Sequence, residues 1–243
     1  MAISRSQLVK ELEPGLNALF GLEYNRYENQ HAEIYITETS DRAFEEEVML
    51  SGFASAPVKQ EGAGVVFDQA GETFTARYTH DTVALAFAIT EEAIEDNLYD
   101  RLAARYTRAL ARSMSNTKQV KAANVLNNAQ NTAFTGGDGK TLINSAHPLA
   151  TGGTFSNVLS TAADLNETSL EQSLIDINGF VDERGLKIAA QGVKMIIPKE
   201  LQFTAERLMK SPQRTATADN DINAIASMGM VPQGYRVNNF LTD

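Results

Sequence analysis

The chain has 243 residues, 43% of them hydrophobic and 21% charged, which is enough for one large domain or two modest ones of ordinary globular composition. It has no cysteine, so disulfides, thiolate metal sites and cysteine nucleophiles are excluded together. The net charge of −10 is uneven, with 19 acidic and 6 basic side chains in residues 1–100 against 12 and 15 in residues 101–243; this argues against sequence-specific nucleic-acid binding.

That asymmetry has two readings, a solvated surface or an acidic half of one copy meeting a basic patch of the next. No apolar run approaches the length needed to span a bilayer, and Met1–Lys10 lacks a signal core. The chain therefore reads as soluble and made in the cytoplasm.

Residues 3–22 form an amphipathic segment through Leu8, Leu12, Leu16, Leu19 and Phe20. Pro14-Gly15 interrupts it, which predicts two short helical pieces or an arm. Tyr24, Tyr27 and Tyr35 follow, and Ile34-Tyr35-Ile36 predicts a short strand. Residues 41–72 hold Glu45-Glu46-Glu47, several glycines and Pro57, with brief apolar runs at Val48-Met49-Leu50 and Val65-Val66-Phe67. This predicts an extended hairpin or loop with little core of its own, either mobile or held by a neighbouring molecule.

From Phe74 onward the pattern predicts a long strand running directly into a long helix. Val83, Leu85, Phe87 and Ile89 alternate with small residues, the period-2 signature of a half-buried strand. Thr90 can cap a helix, Glu91 and Glu92 suit its positive end, and no proline or glycine recurs before Gly136. The predicted helix spans 90–128, roughly 38 residues and about 57 Å. An element that long must lie across something large or be shared with neighbours.

Two stripes mark this helix. Ile94, Leu98, Leu102, Tyr106, Leu110 and Met114 form an apolar one that winds around the axis. Arg101, Arg105, Arg108 and Arg112 form a straighter basic one, read either as a solvated face or as ion-pairing with an acidic loop of another subunit. A polar, glycine-rich section covers 130–166. A compact unit follows: a capping box at Thr168 and Glu171, helical spacing at Leu170, Leu174, Ile177 and Val181 ending by Gly185, a strand at Val193–Ile197, a helix from Pro198 to Lys210, a polar loop at 211–221 and a strand at Tyr235–Leu241.

Catalytic and ligand motifs fail one by one. Gly139-Lys140-Thr141 lacks the earlier glycine of a phosphate loop, where Phe134 stands. Asp219, Asp221 and Asn223 start like a calcium loop, but Ala224 and Met230 occupy its glycine and glutamate positions. His31, His80 and His147 are isolated, without metal-ligand spacing. No glycine-flanked serine nucleophile occurs. Neither cofactor nor metal is expected.

The order of elements resembles the Hong Kong 97-type capsid fold of tailed phages. Local segments are similar to Mu-like phage major head subunits: Leu12 to Tyr24, Tyr78 to Leu85, Ile89 to Ala93, Glu95 to Tyr99, Ser145 to Pro148, Pro198 to Arg207 and Asp219 to Ala224. The resemblance covers nearly the whole chain. It implies an α+β fold with an N-terminal arm at 1–40, an extended hairpin loop at 41–88, a peripheral domain at 89–167 with its spine helix at 90–128, and an axial domain at 168–243. It also implies a non-enzymatic shell protein that assembles as pentamers and hexamers into an icosahedral virion capsid enclosing DNA, without sequence-specific contacts or membrane.

Since the arm is too short for a large scaffolding segment, a separate scaffolding protein is implied, together with a portal and a maturation protease or decoration protein. Assembly would take place in the host bacterial cytoplasm. Candidate inter-subunit contacts are Glu45, Glu46, Glu47, Lys59, Arg101, Arg105, Arg108 and Arg112. Some relatives crosslink subunits through a lysine and an asparagine; Lys59 is the loop's only lysine, and nothing around it marks it as reactive. Relatives usually continue beyond the strand at which this chain ends. The alternatives are an encapsulin-like bacterial compartment shell and an enzyme using His80 or His147.

Overall fold

The computed structural model describes residues 5–88, 99–214 and 221–242. The chain divides into two compact units, one drawn from Met1–Thr37 and Asp81–Asn124, the other from Glu38–His80 and Val125–Asp243. The architecture mixes α and β elements. No helix among the described residues is long and apolar enough to cross a membrane.

The first unit begins with α1, Arg5–Tyr24, a single 20-residue helix. The break expected at Pro14-Gly15 does not occur: a proline removes one main-chain donor, and the turns on either side carry the helix through. A 3₁₀ turn, Gln30–Glu33, follows. The strand expected at Ile34–Ile36 is also absent. Instead Tyr35 donates its hydroxyl to the carbonyl of Ala122 at 2.9 Å.

That carbonyl belongs to α2, Tyr99–Asn127, a helix of 29 residues. The expected start at 90–98 lies outside the described residues, as do Ile94 and Leu98 of the apolar stripe. The strand expected over 83–89 is not formed at 83–88, which run as irregular chain with Leu85 largely exposed. Alternation marks an extended segment, but a strand also needs a neighbour to complete its ladder. Phe87 packs instead on Tyr106 of the helix, ring centres 6.0 Å apart.

The buried ridge of α2 differs from the expected stripe. It is Ala103, Thr107, Ala111, Ser115, Gln119 and Ala123, while Tyr106 is 50% exposed. Small side chains let neighbouring chain approach closely, and the larger ones flank the contact. The ridge's polar groups are partly accounted for within the unit. Thr107 donates to the carbonyl of Ala103 at 2.8 Å. Gln119 accepts from the buried His31 N–H at 3.0 Å and donates to the Glu28 carbonyl at 3.3 Å.

In the second unit, β1 (Phe44–Leu50) and β2 (Glu72–Thr79) pair antiparallel, with an irregularity between Val48 and Leu50. The expected hairpin is therefore present. The glycine-rich section lies against it: a Cβ on Gly137 would meet the Thr75 carbonyl oxygen at 2.7 Å. Short strands β3 (His147–Pro148) and β4 (Thr154–Phe155) pair next.

Helix α3 spans Glu167–Asn178. Its capping box is made by Asn166 and Ser169 rather than Thr168 and Glu171, and it ends at Gly179, six residues before Gly185. The Asn166 amide oxygen reaches the Ser169 N–H while the Ser169 hydroxyl accepts from Asn166, so both end donors are satisfied.

Strands β5 (Met195–Ile197) and β6 (Tyr235–Val237) pair in parallel, each shorter than expected. Pro198 precedes a 3₁₀ turn at Lys199–Leu201 and α4, Gln202–Lys210. Helix α5, Ala224–Met228, closes on Gly229 in the left-handed conformation that glycine adopts freely. Leu170 and Leu174 of α3 form the core with Ile225 and Val231.

Candidate assembly surface

The loop between β1 and β2 has little packing of its own. Val58 is 95% and Phe67 93% exposed, and Phe53, Val65 and Val66 are exposed with them. Large apolar side chains left in water at this density mark a surface meant for contact.

The neck of the loop is nevertheless fastened. The Ser51 N–H donates to the Gly71 carbonyl at 2.8 Å, and the Ser51 hydroxyl accepts from the Gly71 N–H at 2.9 Å. Asp68 accepts from the N–H groups of Ala54 and Gln69 at 2.7 and 2.9 Å. Those two bonds, assisted by the Arg184 charge, hold its carboxyl below the usual range. Arg184 donates to the carbonyls of Gly52 (2.9 Å) and Gln69 (2.7 Å) and to Asp68 (3.3 Å). Three acceptors from both arms of the neck thus converge on one guanidinium, whose planar fork suits such convergence.

Sequence reasoning missed Arg184. The only local signal was its place in the Asp182-Glu183-Arg184-Gly185 turn, and its partners are more than 110 residues away.

The acidic run expected to meet another subunit is engaged within the hairpin. Glu46 accepts from Arg77, its cross-strand partner, at 2.7 Å. Glu45 accepts from the Ser40 hydroxyl at 2.5 Å and lies 3.7 Å from Arg42. Glu47 takes a long contact of 3.4 Å from the Tyr78 hydroxyl. Lys59 is exposed in the loop, with no ion pair among the described residues.

Of Arg101 only the backbone is described. Arg105, Arg108 and Arg112 are exposed on α2, likewise without an ion pair among the described residues. Arg108 and Arg112 line a shallow groove of ≈ 460 Å³ with Tyr27 and Ser113.

A second concavity, a cleft of ≈ 600 Å³, opens beside the hairpin. Val48, Leu50, Phe74, Leu149 and Ile188 supply apolar wall, and Glu47, Asp138, His147, Asp182 and Glu183 are the charged or ionisable residues among its lining. His147 Nδ1 lies 2.6 Å from Asp138 Oδ2. Burial alone would raise Asp138, but the bonds from His147 and the Lys140 N–H outweigh it and hold the carboxyl below its ordinary range. An aspartate–histidine pair can move a proton, yet no serine, threonine, cysteine or lysine lines the cleft to act as a nucleophile. His80 is exposed, within 3.2 Å of the Ser40 hydroxyl. No metal-binding cluster occurs among the described residues.

Comparison with known proteins bears on this arrangement. A family model described as phage capsid protein matches residues 72–243. No curated protein matches the sequence. Among solved structures, the chain is similar to one in the procapsid of bacteriophage JBD30, with a TM-score of 0.65 at 14% identity over 98% of this chain and 100% of that one. It is also similar to a chain in the capsid of the same phage decorated with minor capsid protein trimers, with a TM-score of 0.60 at 13% identity over 89% and 95%. At these identities the likeness is one of fold, an α+β capsid fold.

Proposed function

The chain belongs to the phage capsid protein family, and from that premise we propose that it is the major head subunit of a tailed phage, a non-enzymatic shell protein that assembles as pentamers and hexamers into an icosahedral capsid around packaged DNA. The observation that carries the reading is the hairpin loop: its apolar side chains stand in water while its neck is fastened by Arg184, as suits an element whose packing partner is another copy. Many weak contacts of this type, repeated by symmetry, give a closed shell its stability.

In this reading residues 41–88 are the extended loop, α2 is the spine of a peripheral domain, and the unit from 168 onward is the axial domain of a Hong Kong 97-type subunit. Lys59 and the arginines of α2 are contact residues between subunits. The acidic run at Glu45–Glu47 takes part through its outer faces, since its carboxylates already have partners in the hairpin. A separate scaffolding protein, a portal and a maturation protease or decoration protein complete the assembly, which forms in the host bacterial cytoplasm. DNA is held without sequence-specific contacts, in keeping with the net charge of −10.

The test is electron microscopy of the purified full chain expressed with its scaffolding partner. Closed icosahedral particles, or rings of five and six, are expected. A stable monomer under those conditions would overturn the reading.

A further inference from the structure

The cleft beside the hairpin contains a carboxylate whose position the subunit's own fold does not explain. Glu183 is 7% exposed and lines the cleft, and its Oε2 has no hydrogen-bond partner among the described residues. A buried carboxylate oxygen left alone is costly. Asp138, Asp182 and Glu47 line the same cleft, and His147 is its only basic side chain, already bonded to Asp138. The remaining wall is apolar. Such a cavity suits a cation on a long aliphatic stem: the stem covers Val48, Phe74 and Ile188 while the charged tip reaches the Glu183 carboxylate.

We propose that this cleft is the receptor for a basic side chain of a second copy of the chain. The proposal rests on the shell reading, because it takes the partner to be a neighbouring subunit. Charge complementarity supports that choice: the chain exposes Lys59, Arg105, Arg108, Arg112, Lys118, Lys140, Lys187 and Arg207 with no ion pair among the described residues. A cation arriving at Glu183 gives the orphaned oxygen its donor, and only the assembled state contains it.

This assigns Glu183→Gln two effects of opposite sign. In the isolated subunit the change removes a buried, under-bonded charge at constant shape, so the thermal midpoint stays level or rises. In assembly it removes the attraction for the incoming cation, so the critical concentration of the purified full chain rises about tenfold, followed by light scattering and electron microscopy. Single replacements of these eight exposed cations by glutamine, each alone and combined with Glu183→Gln, then identify the partner. One of them is expected to be non-additive with Glu183→Gln, the double variant assembling no worse than the weaker single.

Assembly of Glu183→Gln at the wild-type concentration would overturn the proposal and leave the shell reading standing. A lowered thermal midpoint would also overturn it, since Glu183 would then serve the subunit's own fold, and so would eight cations that all combine additively with it. Absence of closed particles from the wild-type chain with its scaffolding partner would instead count against the shell reading itself.

Discussion

Arg184 stands 3.3 Å from Asp68, a residue 116 positions earlier, and so ties the neck of the hairpin loop to a turn in the later part of the chain. The contact holds an apolar loop in place before any partner covers it. Replacing Arg184 with glutamine should remove three bonds from the neck and leave the loop's ends held by the Ser51–Gly71 pair and the Ala54–Asp68 bond. The loop should then open more often, and trypsin should cut after Lys59 about an order of magnitude faster, with the core melt little changed. Asp68→Asn should have a smaller effect, because Arg184 keeps its two carbonyl acceptors. Equal cleavage rates in wild type and Arg184→Gln would show that the neck is held without it.

The Asp138–His147 pair gives the second unit a defined acid response. The folded Asp138 carboxyl lies below its ordinary value, so its contribution to stability is fully present above the unfolded carboxylate range and is lost as pH falls through the folded value. Asp138→Asn should cost about 1–2 kcal/mol near neutral pH. The gap between variant and wild type should narrow below about pH 4, where the carboxylate protonates. Thermal melts across that range check both the size and the direction; a gap that widened in acid would reverse the assignment.

Asn223 is 2% exposed and serves two purposes at once. Its amide nitrogen donates to the carbonyls of Leu208 (2.7 Å) and Ser211 (3.0 Å), and its oxygen accepts from the Ala226 N–H (3.2 Å) at the start of α5. Asn223→Ala should leave one buried and two part-buried main-chain groups without this partner and cost about 2–3 kcal/mol in denaturant unfolding. Asn223→Asp, which keeps the cap but loses the two donated bonds, should also destabilise. A neutral Asn223→Ala would mean that water replaces the side chain.

These elements differ in how far the sequence revealed them. The hairpin was legible because short apolar runs bounded by glycine and proline are a local signal, and α2 because a capping threonine, acidic first turn and a long run without glycine or proline together favour helix. The burial of α2 was not. Ala103, Thr107, Ala111 and Ser115 carry no hydropathy signal, and what buries them is the close approach of another segment. The alternation at Val83–Ile89 read as a strand because a single chain cannot declare whether a partner strand exists. Asn166 capped α3 in place of Thr168 through a reciprocal bond with Ser169, a choice between neighbouring candidates that differ by tenths of a kcal/mol. The Arg184 clamp and the Glu183 cleft depend on residues brought together from distant positions, and no spacing rule reaches that far.

The arginines of α2 supply the remaining test. Arg105, Arg108 and Arg112 are exposed and have no ion pair among the described residues, so no contact among those residues requires their charge. An exposed charge on a helix changes folding stability by about 0.5 kcal/mol or less. Reversing Arg105 and Arg108 together to glutamate should therefore leave the melting curve nearly unchanged. If the stripe meets an acidic surface of a neighbour, the same change replaces attraction by repulsion at every copy of the interface, and a shell multiplies that penalty by its symmetry. Particle yield should fall by at least tenfold while soluble subunit remains, measured by sedimentation and electron microscopy. Normal shells from the double reversal would return the stripe to its other reading, a solvated face with no partner in assembly.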